Sequence, residues 1–221
     1  SPSAPTGIYR TSDSGETWTP VAGPSSSNWS AAYLASPELG ILVADSGQVA
    51  LITDSQILPS RLPPLGSRTA HGICLQNGDS GWLVGDGGLV LNTATGGVVW
   101  QSPAGPLPEE LRNICDFQSV DARGSGVWIV GAPGSVVWHS PDAGKSWIPQ
   151  PTADPSPLRK VRFISPQLGL AVGDLGRILR TEDGGQTWKT VRGGGRRLAL
   201  LAVTPRVDHV PTQLFSKIAG D

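Results

Sequence analysis

The chain has 221 residues, including 29 glycines and 20 prolines, with 16% charged residues and a net charge of −1. This composition excludes a helix-rich fold and favours many short strands joined by tight turns. No apolar run approaches the roughly 18 residues that a membrane span requires, so the sequence predicts no transmembrane segment.

An eight-residue box recurs along the chain. TSDSGETW at 11–18, SPDAGKSW at 140–147 and TEDGGQTW at 181–188 share the pattern Ser/Thr-x-Asp-x-Gly-x-Ser/Thr-Trp. Eroded copies lie at 53–55 and at 93–100, where Thr95 replaces the acid. The hydroxyl residues that open the five boxes are spaced by 42, 40, 47 and 41 residues. That period is typical of propeller blades with four strands each.

The segments between the boxes predict the other strands of each blade. An apolar strand, a second strand, a glycine-containing turn and a third strand precede each box, as in GLAVGDLGRILRT before the last one. Glycine in such turns permits the positive φ that closes a short hairpin. The sequence therefore predicts an all-β propeller of four-stranded antiparallel blades, with about five repeats visible.

The two ends leave the blade number open. The first segment supplies only a third and fourth strand, and RRLALLAV near the other end resembles a first strand. Either these ends complete a five-bladed ring, or the chain is part of a six- to seven-bladed one. We predict a propeller at 1–205, followed at 206–221 by a closing strand or helix or by the start of a further domain. The absence of methionine indicates an excised or processed piece.

Each position of the three intact boxes has a physical explanation. The acid accepts hydrogen bonds from turn N–H groups, the glycine adopts a conformation that a side chain would penalise, the hydroxyls bond locally, and the tryptophan packs between blades. The predicted structural residues are Thr11, Asp13, Gly15, Thr17 and Trp18; Ser140, Asp142, Gly144, Ser146 and Trp147; and Thr181, Asp183, Gly185, Thr187 and Trp188.

These residues resemble the Asp-box of the bacterial neuraminidase (BNR) repeat. The segment GLAVGDLGRILRTEDGGQTW is most similar to the repeats of Ycf48/HCF136-like photosystem II assembly factors. The resemblance covers most of the chain and implies a non-enzymatic propeller that acts as a protein-interaction or assembly scaffold. It also implies an exported or periplasmic location. In such families the box hairpin is structural and lies away from the functional face.

Charge is distributed unevenly along the chain. Residues 159–206 contain ten lysines and arginines against three acids, whereas residues 1–158 carry a net charge of −7. We expect a basic sector that binds an acidic surface of a protein partner. Its predicted contact residues are Arg159, Arg162, Arg177, Arg180, Arg192, Arg196 and Arg197. Nucleic acid is not expected, because RGGGRR lacks interleaved aromatic residues for base stacking.

A sialidase-like glycosidase or a carbohydrate-binding propeller is the alternative function. Sialidases combine an arginine triad with a tyrosine nucleophile late in the chain, whereas Tyr9 and Tyr33 both lie early. RLP at 61–63 resembles a sialidase signature but follows the second repeat. Glycan binding would use exposed tryptophans, for which packing between blades is the competing interpretation. These candidates are Trp29, Trp82, Trp128 and Trp138.

The remaining candidate residues predict neither a metal site nor a cofactor site. The histidines, His71, His139 and His209, are too far apart for metal ligation. Cys74 and Cys115 stand in apolar contexts and are predicted to be buried thiols. Aspartates in the inner turns are predicted to bond their own turn backbone; they are Asp45, Asp86 and Asp174. Specificity is expected in the long inserts at 23–28, 55–68 and 102–112.

Overall fold

The computed structural model describes residues 7–23, 28–36, 39–44, 46–53, 56–76, 78–109, 114–152 and 155–193. These residues form five consecutive antiparallel sheets, which we number blades 1 to 5 in chain order. The prediction of an all-β propeller is confirmed, and among the described residues the blades do not close into a ring. The predicted boundary between 205 and 206 lies outside this part of the chain.

The strands follow one another as simple meanders. Blade 1 contains β1 (Tyr9–Arg10) and β2 (Thr19–Pro20). Blade 2 contains β3 (Trp29–Ser36), β4 (Leu39–Ala44), β5 (Val49–Thr53) and β6 (Ile57–Pro59). Blade 3 contains β7 (Ala70–Leu75), β8 (Gly81–Gly85) and β9 (Leu89–Thr93). Blade 4 contains β10 (Asp116–Arg123), β11 (Gly126–Ala132), β12 (Val136–Ser140) and β13 (Ile148–Pro151). Blade 5 contains β14 (Leu158–Phe163), β15 (Gly169–Gly173), β16 (Ile178–Thr181) and β17 (Lys189–Arg192), with a short 3₁₀ turn at Asp174–Gly176.

Burial is highest in the second strand of a blade and lowest in the fourth. The second strands β4, β8 and β11 are buried along almost their whole length, because the neighbouring blades cover both of their faces. The fourth strands β13 and β17 are mostly exposed. Proline in β13 and charged residues in β17 protect these edges from pairing with other chains. No helix formed by the described residues is long and apolar enough to cross a membrane.

The meander separates the connections of each blade onto two faces. Because successive strands are antiparallel, the turns between the third and fourth strands, which contain the boxes, all emerge on one face, here called the box face. The turns between the second and third strands emerge on the opposite face, together with the connections between blades. We call this the insert face. The connection 60–69 lies beside the turn at 46–48 there, whereas Gly105 of the connection 102–115 reaches the blade 4 box and donates from N to the Gly144 carbonyl at 2.8 Å.

A β-bulge interrupts the innermost strand of blades 2 to 5 near its start. In blade 3 the extra residue is His71, whose Nε2 lies 2.6 Å from Asp86 Oδ1. In blade 5 it is Arg159, which donates to both carboxylate oxygens of Asp174 at 2.8 and 2.9 Å. The inner-turn aspartates therefore bond the bulge residue instead of their own turn backbone as predicted, because the bulge turns that side chain towards them. Asp45 lies outside the described residues.

At two junctions a box glycine of one blade packs on the second strand of the preceding blade. A side chain at Gly97 would collide with Ile41 of β4, and one at Gly144 would collide with Trp82 of β8. Between blades 4 and 5, Trp128 Nε1 of β11 donates to the Gly184 carbonyl at 2.9 Å. Close backbone approach is thus the shared feature of the three junctions.

We expect Gly144→Ala to lower the free energy of unfolding by about 2–5 kcal/mol. The added methyl group would meet Trp82, which costs about 1–3 kcal/mol, and would strain a backbone with φ of 83° by roughly 1–2 kcal/mol. Urea denaturation measures the change. Gly124→Ala is the matched control, because φ is 58° there and nothing lies within 4 Å of the new methyl group. Equal losses of unfolding free energy in the two variants would contradict the close packing of Gly144 on Trp82.

Candidate functional site

The three intact boxes share one hydrogen-bond pattern. In blade 5, Asp183 accepts from Thr187 N at 2.9 Å and from Thr187 Oγ1 at 2.5 Å. The opening hydroxyl of Thr181 donates to Asp183 at 2.8 Å and accepts from Gly185 N at 2.8 Å. The same four bonds, at 2.5–2.9 Å, join Thr11, Asp13, Gly15 and Thr17, and also Ser140, Asp142, Gly144 and Ser146. The acid thus organises its own turn.

The box at 93–100 keeps this geometry without an acid. Val99 N donates to Thr95 Oγ1 at 2.9 Å, the position that a carboxylate oxygen takes in the intact boxes. Gly97 N donates to Thr93 Oγ1 at 3.1 Å. A hydroxyl therefore substitutes for the carboxylate as the acceptor. In the copy at 53–55, Thr53 Oγ1 donates to the Gln56 carbonyl at 3.1 Å, and residues 54 and 55 lie outside the described ranges.

These hydrogen bonds lower the pKa of each box acid. The side-chain hydroxyl of Thr17, followed by its backbone N–H, lowers the pKa of Asp13 to about 2. Ser146 does the same for Asp142 and Thr187 for Asp183, again to about 2. A general acid in hydrolysis requires a pKa raised towards neutrality. The box acids are shifted in the opposite direction, so they are poorly suited to donate a proton at neutral pH.

The box tryptophans occupy two different environments. Trp147 donates from Nε1 to the Gly105 carbonyl at 2.8 Å and packs edge-on against Trp82 of blade 3. Trp188 is buried beside Phe163. Trp18 differs from the predicted packing between blades, since it is 59% exposed and its Nε1 donates to Gly15 of its own turn at 3.1 Å. A largely apolar cavity of about 530 Å³ lies between blades 1 and 2, where Trp18 and Tyr9 face Leu34, Leu39 and Ile52.

A polar cluster that the sequence interpretation missed lies on the innermost strands. The carboxylate of Asp121 in β10 is fully buried and accepts from Arg162 Nη1 at 3.0 Å, from Phe163 N at 2.6 Å and from Cys74 Sγ at 3.4 Å. Tyr33 of β3 donates to the Leu75 carbonyl at 3.2 Å. Tyr33, Cys74, Asp121 and Arg162 are separated by 41, 47 and 41 residues, so the box spacing carried the signal that relates them.

The chemistry of this cluster indicates a structural role. Burial, and then the charge of Asp121, raises the pKa of Cys74 to about 12. A thiol with that pKa is not a nucleophile at neutral pH. Cys74 and Cys115 are both free and buried, which confirms the prediction of buried thiols. Asp121 and Arg162 instead join blade 4 to blade 5.

The predicted basic surface is only partly presented to solvent. Arg162 does not lie on the basic surface as predicted, because its guanidinium points inward to Asp121 and its side chain is only 21% exposed. Arg159 is held by Asp174, and Arg180 lies 2.7 Å from Glu182 at the surface. Arg192 is exposed and Arg177 is partly buried. Arg196 and Arg197 lie outside the described residues.

The tryptophans considered for glycan binding are largely inaccessible. Trp82, Trp128 and Trp138 are buried in the cores between blades, and Trp29 is partly buried. Trp128 is stacked between His139 and Phe163, with ring centroids 4.8 and 3.7 Å away. The buried rings of Trp82, Trp128 and Trp138 therefore offer no stacking surface for a sugar.

Sequence comparison gives the family. Residues 65–190 match the family described as Photosynthesis system II assembly factor YCF48. The chain belongs to this family. A curated relative, the photosystem II assembly lipoprotein Ycf48 of Prochlorococcus marinus (strain MIT 9313), is 34% identical over 190 residues, which cover 78% of this chain and 53% of the relative. The chain spans about half or less of the length of the curated relatives it matches.

Solved structures share the fold. A structure described as YCF48 bound to D1 peptide has a TM-score of 0.52 and 22% identity, covering 79% of this chain and 47% of that one. A family 74 glycoside hydrolase from Niastella koreensis has a TM-score of 0.61 and 15% identity, covering 88% of this chain and 35% of the enzyme. At these identities both similarities show the propeller fold alone.

The lowered pKa of the box acids predicts a pH dependence of stability. A carboxyl with a pKa of about 2 in the folded chain and about 3.9 in the unfolded chain stabilises the fold above pH ~4, and this stabilisation is lost as the pH falls towards 2. We expect Asp142→Asn to be less stable than the parent at pH 7, with the difference shrinking towards pH 2. Urea midpoints across this range test it.

Thr95→Val is the control for this prediction. It removes the equivalent hydrogen-bond acceptor from the blade 3 box without removing a titrating group, so its cost should not change with pH. A pH-independent difference between Asp142→Asn and the parent would contradict the assigned role of the carboxylate.

We expect Asp121→Asn to cost about 3–5 kcal/mol of unfolding free energy, because it leaves Arg162 largely buried without its counter-charge. Thermal or urea unfolding measures the loss. The double variant Asp121→Leu with Arg162→Met should recover part of it, since replacing both members of a buried pair by apolar groups is often neutral, while the Phe163 N–H loses its acceptor. A double variant that loses the sum of both single effects would refute this account of the pair.

Proposed function

We propose that this chain is a non-catalytic propeller segment that binds a protein partner during assembly of a photosynthetic complex. The observation that carries the proposal is the match of more than half of the chain to the YCF48 assembly factor family. The structure of one relative is described as bound to D1 peptide. This supports a peptide segment as the part of the partner that this chain binds. The chain would then act through its surface and not through chemistry at its acids.

The box acids support this proposal over the glycosidase alternative. Their oxygens are engaged by hydroxyl and backbone donors within each turn. Their pKa values of about 2 oppose general-acid catalysis. In this interpretation the boxes hold the blades in place, and the opposite face is free to vary for recognition.

We infer that the cations of blade 5 contribute to the contact with an acidic partner. Arg159 and Arg177 lie at the insert face, at the start of β14 and just before β16. Arg192 pairs with Ile178 at the same end of the blade, and Arg180 is exposed further along β16. Exposed charges of this kind mainly steer association and set its salt dependence.

Charge reversal tests this surface. We expect Arg180→Glu combined with Arg192→Glu to weaken binding of a labelled D1 peptide about tenfold, equivalent to ~1.4 kcal/mol, and to reduce the salt dependence of binding. Fluorescence anisotropy at two salt concentrations measures both. Lys145→Glu combined with Arg10→Glu is the control, since both residues belong to blades other than blade 5. No binding of the peptide by the parent chain, or equal weakening by the control, would refute the proposal.

A further inference from the structure

The connection between blades 2 and 3 is built as a fixed element. Ser60 N donates to the Val49 carbonyl at 3.0 Å, and Arg61 N donates to the Val98 carbonyl at 2.8 Å. Leu62 and Leu65 pack against the core shared by these blades. Two prolines at 63 and 64 restrict the backbone between them. Backbone bonds, apolar contacts and prolines therefore all restrict the conformation of this connection.

Two cavities flank this connection. The first, of about 690 Å³, lies over blade 2 and is lined by Trp29, Val49, Ser60, Leu62 and Arg68 among others. The second, of about 340 Å³, lies over blade 3, where the connection meets the insert that begins at Ser102. Both volumes fall in the range that small ligands and short peptide segments fill. Arg68 lines both cavities, so it stands at their common wall.

Arg68 is a positioned cation. Its Nε donates to the Leu65 carbonyl at 2.9 Å, which fixes the plane of the guanidinium. Within the part of the chain that the structure describes, its two Nη groups have no hydrogen-bond acceptor and no acidic partner. Arg159, Arg162 and Arg180, in contrast, each face a carboxylate. A fixed guanidinium with free Nη groups is suited to bind a carboxylate through two parallel bonds.

The walls around Arg68 define the rest of the ligand. Trp29, Leu62 and Leu65 provide apolar surface in the first cavity, and prolines and Leu107 provide it in the second. Prolines offer no N–H donor. Ser60 lines the first cavity, and its hydroxyl is buried without a hydrogen-bond partner among the described residues. Apolar walls with a few placed polar groups are typical of recognition sites.

We propose that the two cavities flanking Arg68 bind a peptide segment in which an acidic residue stands between two apolar residues. The acidic side chain pairs with the Arg68 guanidinium, and one apolar side chain enters each cavity. This inference rests on the proposed function, because the peptide belongs to the protein partner. It differs from the contact surface given under the proposed function, because it places the specific contact at blades 2 and 3 and not on the cations of blade 5.

A matched pair of synthetic peptides tests the site on the parent chain. The probe is a labelled acetyl-Ala-Leu-Asp-Leu-Ala-amide, and its control carries Asn in place of Asp. We expect the Asp peptide to bind at least tenfold more tightly by fluorescence anisotropy. In nitrogen–proton NMR spectra, the Arg68 Nε–H signal and the Trp29 indole signal should shift on addition of the Asp peptide.

Two variants with the same change in net charge locate the contact. Arg68→Gln should weaken binding of the Asp peptide at least tenfold, whereas Arg61→Gln should leave it unchanged, because Arg61 is exposed in the same connection and lines neither cavity. Thermal unfolding of both variants checks that the fold is intact. If Arg68→Gln unfolds, the comparison of the two peptides on the parent chain still decides the proposal.

Several outcomes separate this inference from the proposed function. Equal binding of the Asp and Asn peptides, or signal shifts confined to blade 5, would overturn the site while leaving a protein-binding propeller in place. Displacement of the peptide by inorganic phosphate at equal concentration would also overturn it, since the site would then be a general anion site. Binding of the D1 peptide with no binding of the Asp peptide would reject the site alone. Binding of neither peptide would reject both.

Discussion

The architecture depends on the close approach of a box backbone to the second strand of the preceding blade. Gly97 against Ile41 and Gly144 against Trp82 leave no room for a side chain, and the Gly184 carbonyl accepts from Trp128. Hydrogen bonds within each box fix the turn that presents the glycine, through Asp142 in blade 4 and through Thr95 in blade 3. A local motif therefore sets the position of one blade on another. Its acid has a structural use that leaves little capacity for proton transfer.

The meander then separates this structural task from recognition. All boxes emerge on one face, so the turns between the second and third strands, on the other face, can change length without disturbing the junctions. The connection at 60–69 lies beside one of these turns and is anchored by backbone bonds and by Leu62 and Leu65. A rigid loop loses little conformational entropy on binding. One chain can thus combine a pre-organised recognition surface with a stable set of blades.

The sequence was sufficient to predict the features that recur locally. The period near forty residues, the hairpins and the donors around each box acid all arise from short-range geometry, and even Thr95 keeps its acceptor position. Contacts between side chains of different blades could not be predicted in this way. Whether Arg162 faces solvent or Asp121 is decided by how β10 lies beside β14, and the exposure of Trp18 is decided by the neighbouring blade. Aligning the innermost strands by the box spacing would have related Cys74, Asp121 and Arg162.

Charge along the chain is therefore a weak guide to charge on the folded surface. Three arginines of the basic segment at 159–206 already face carboxylates: Arg159 faces Asp174, Arg180 faces Glu182, and Arg162 faces Asp121 of the acidic segment. The acidic segment, conversely, contains Arg68, whose Nη groups have no carboxylate among the described residues. For short-range recognition of a carboxylate, one fixed guanidinium between apolar walls discriminates better than several compensated cations, since it is partly desolvated and geometrically restricted. In the proposed binding mode, local placement decides the specific contact, while the remaining exposed cations act on the rate of encounter.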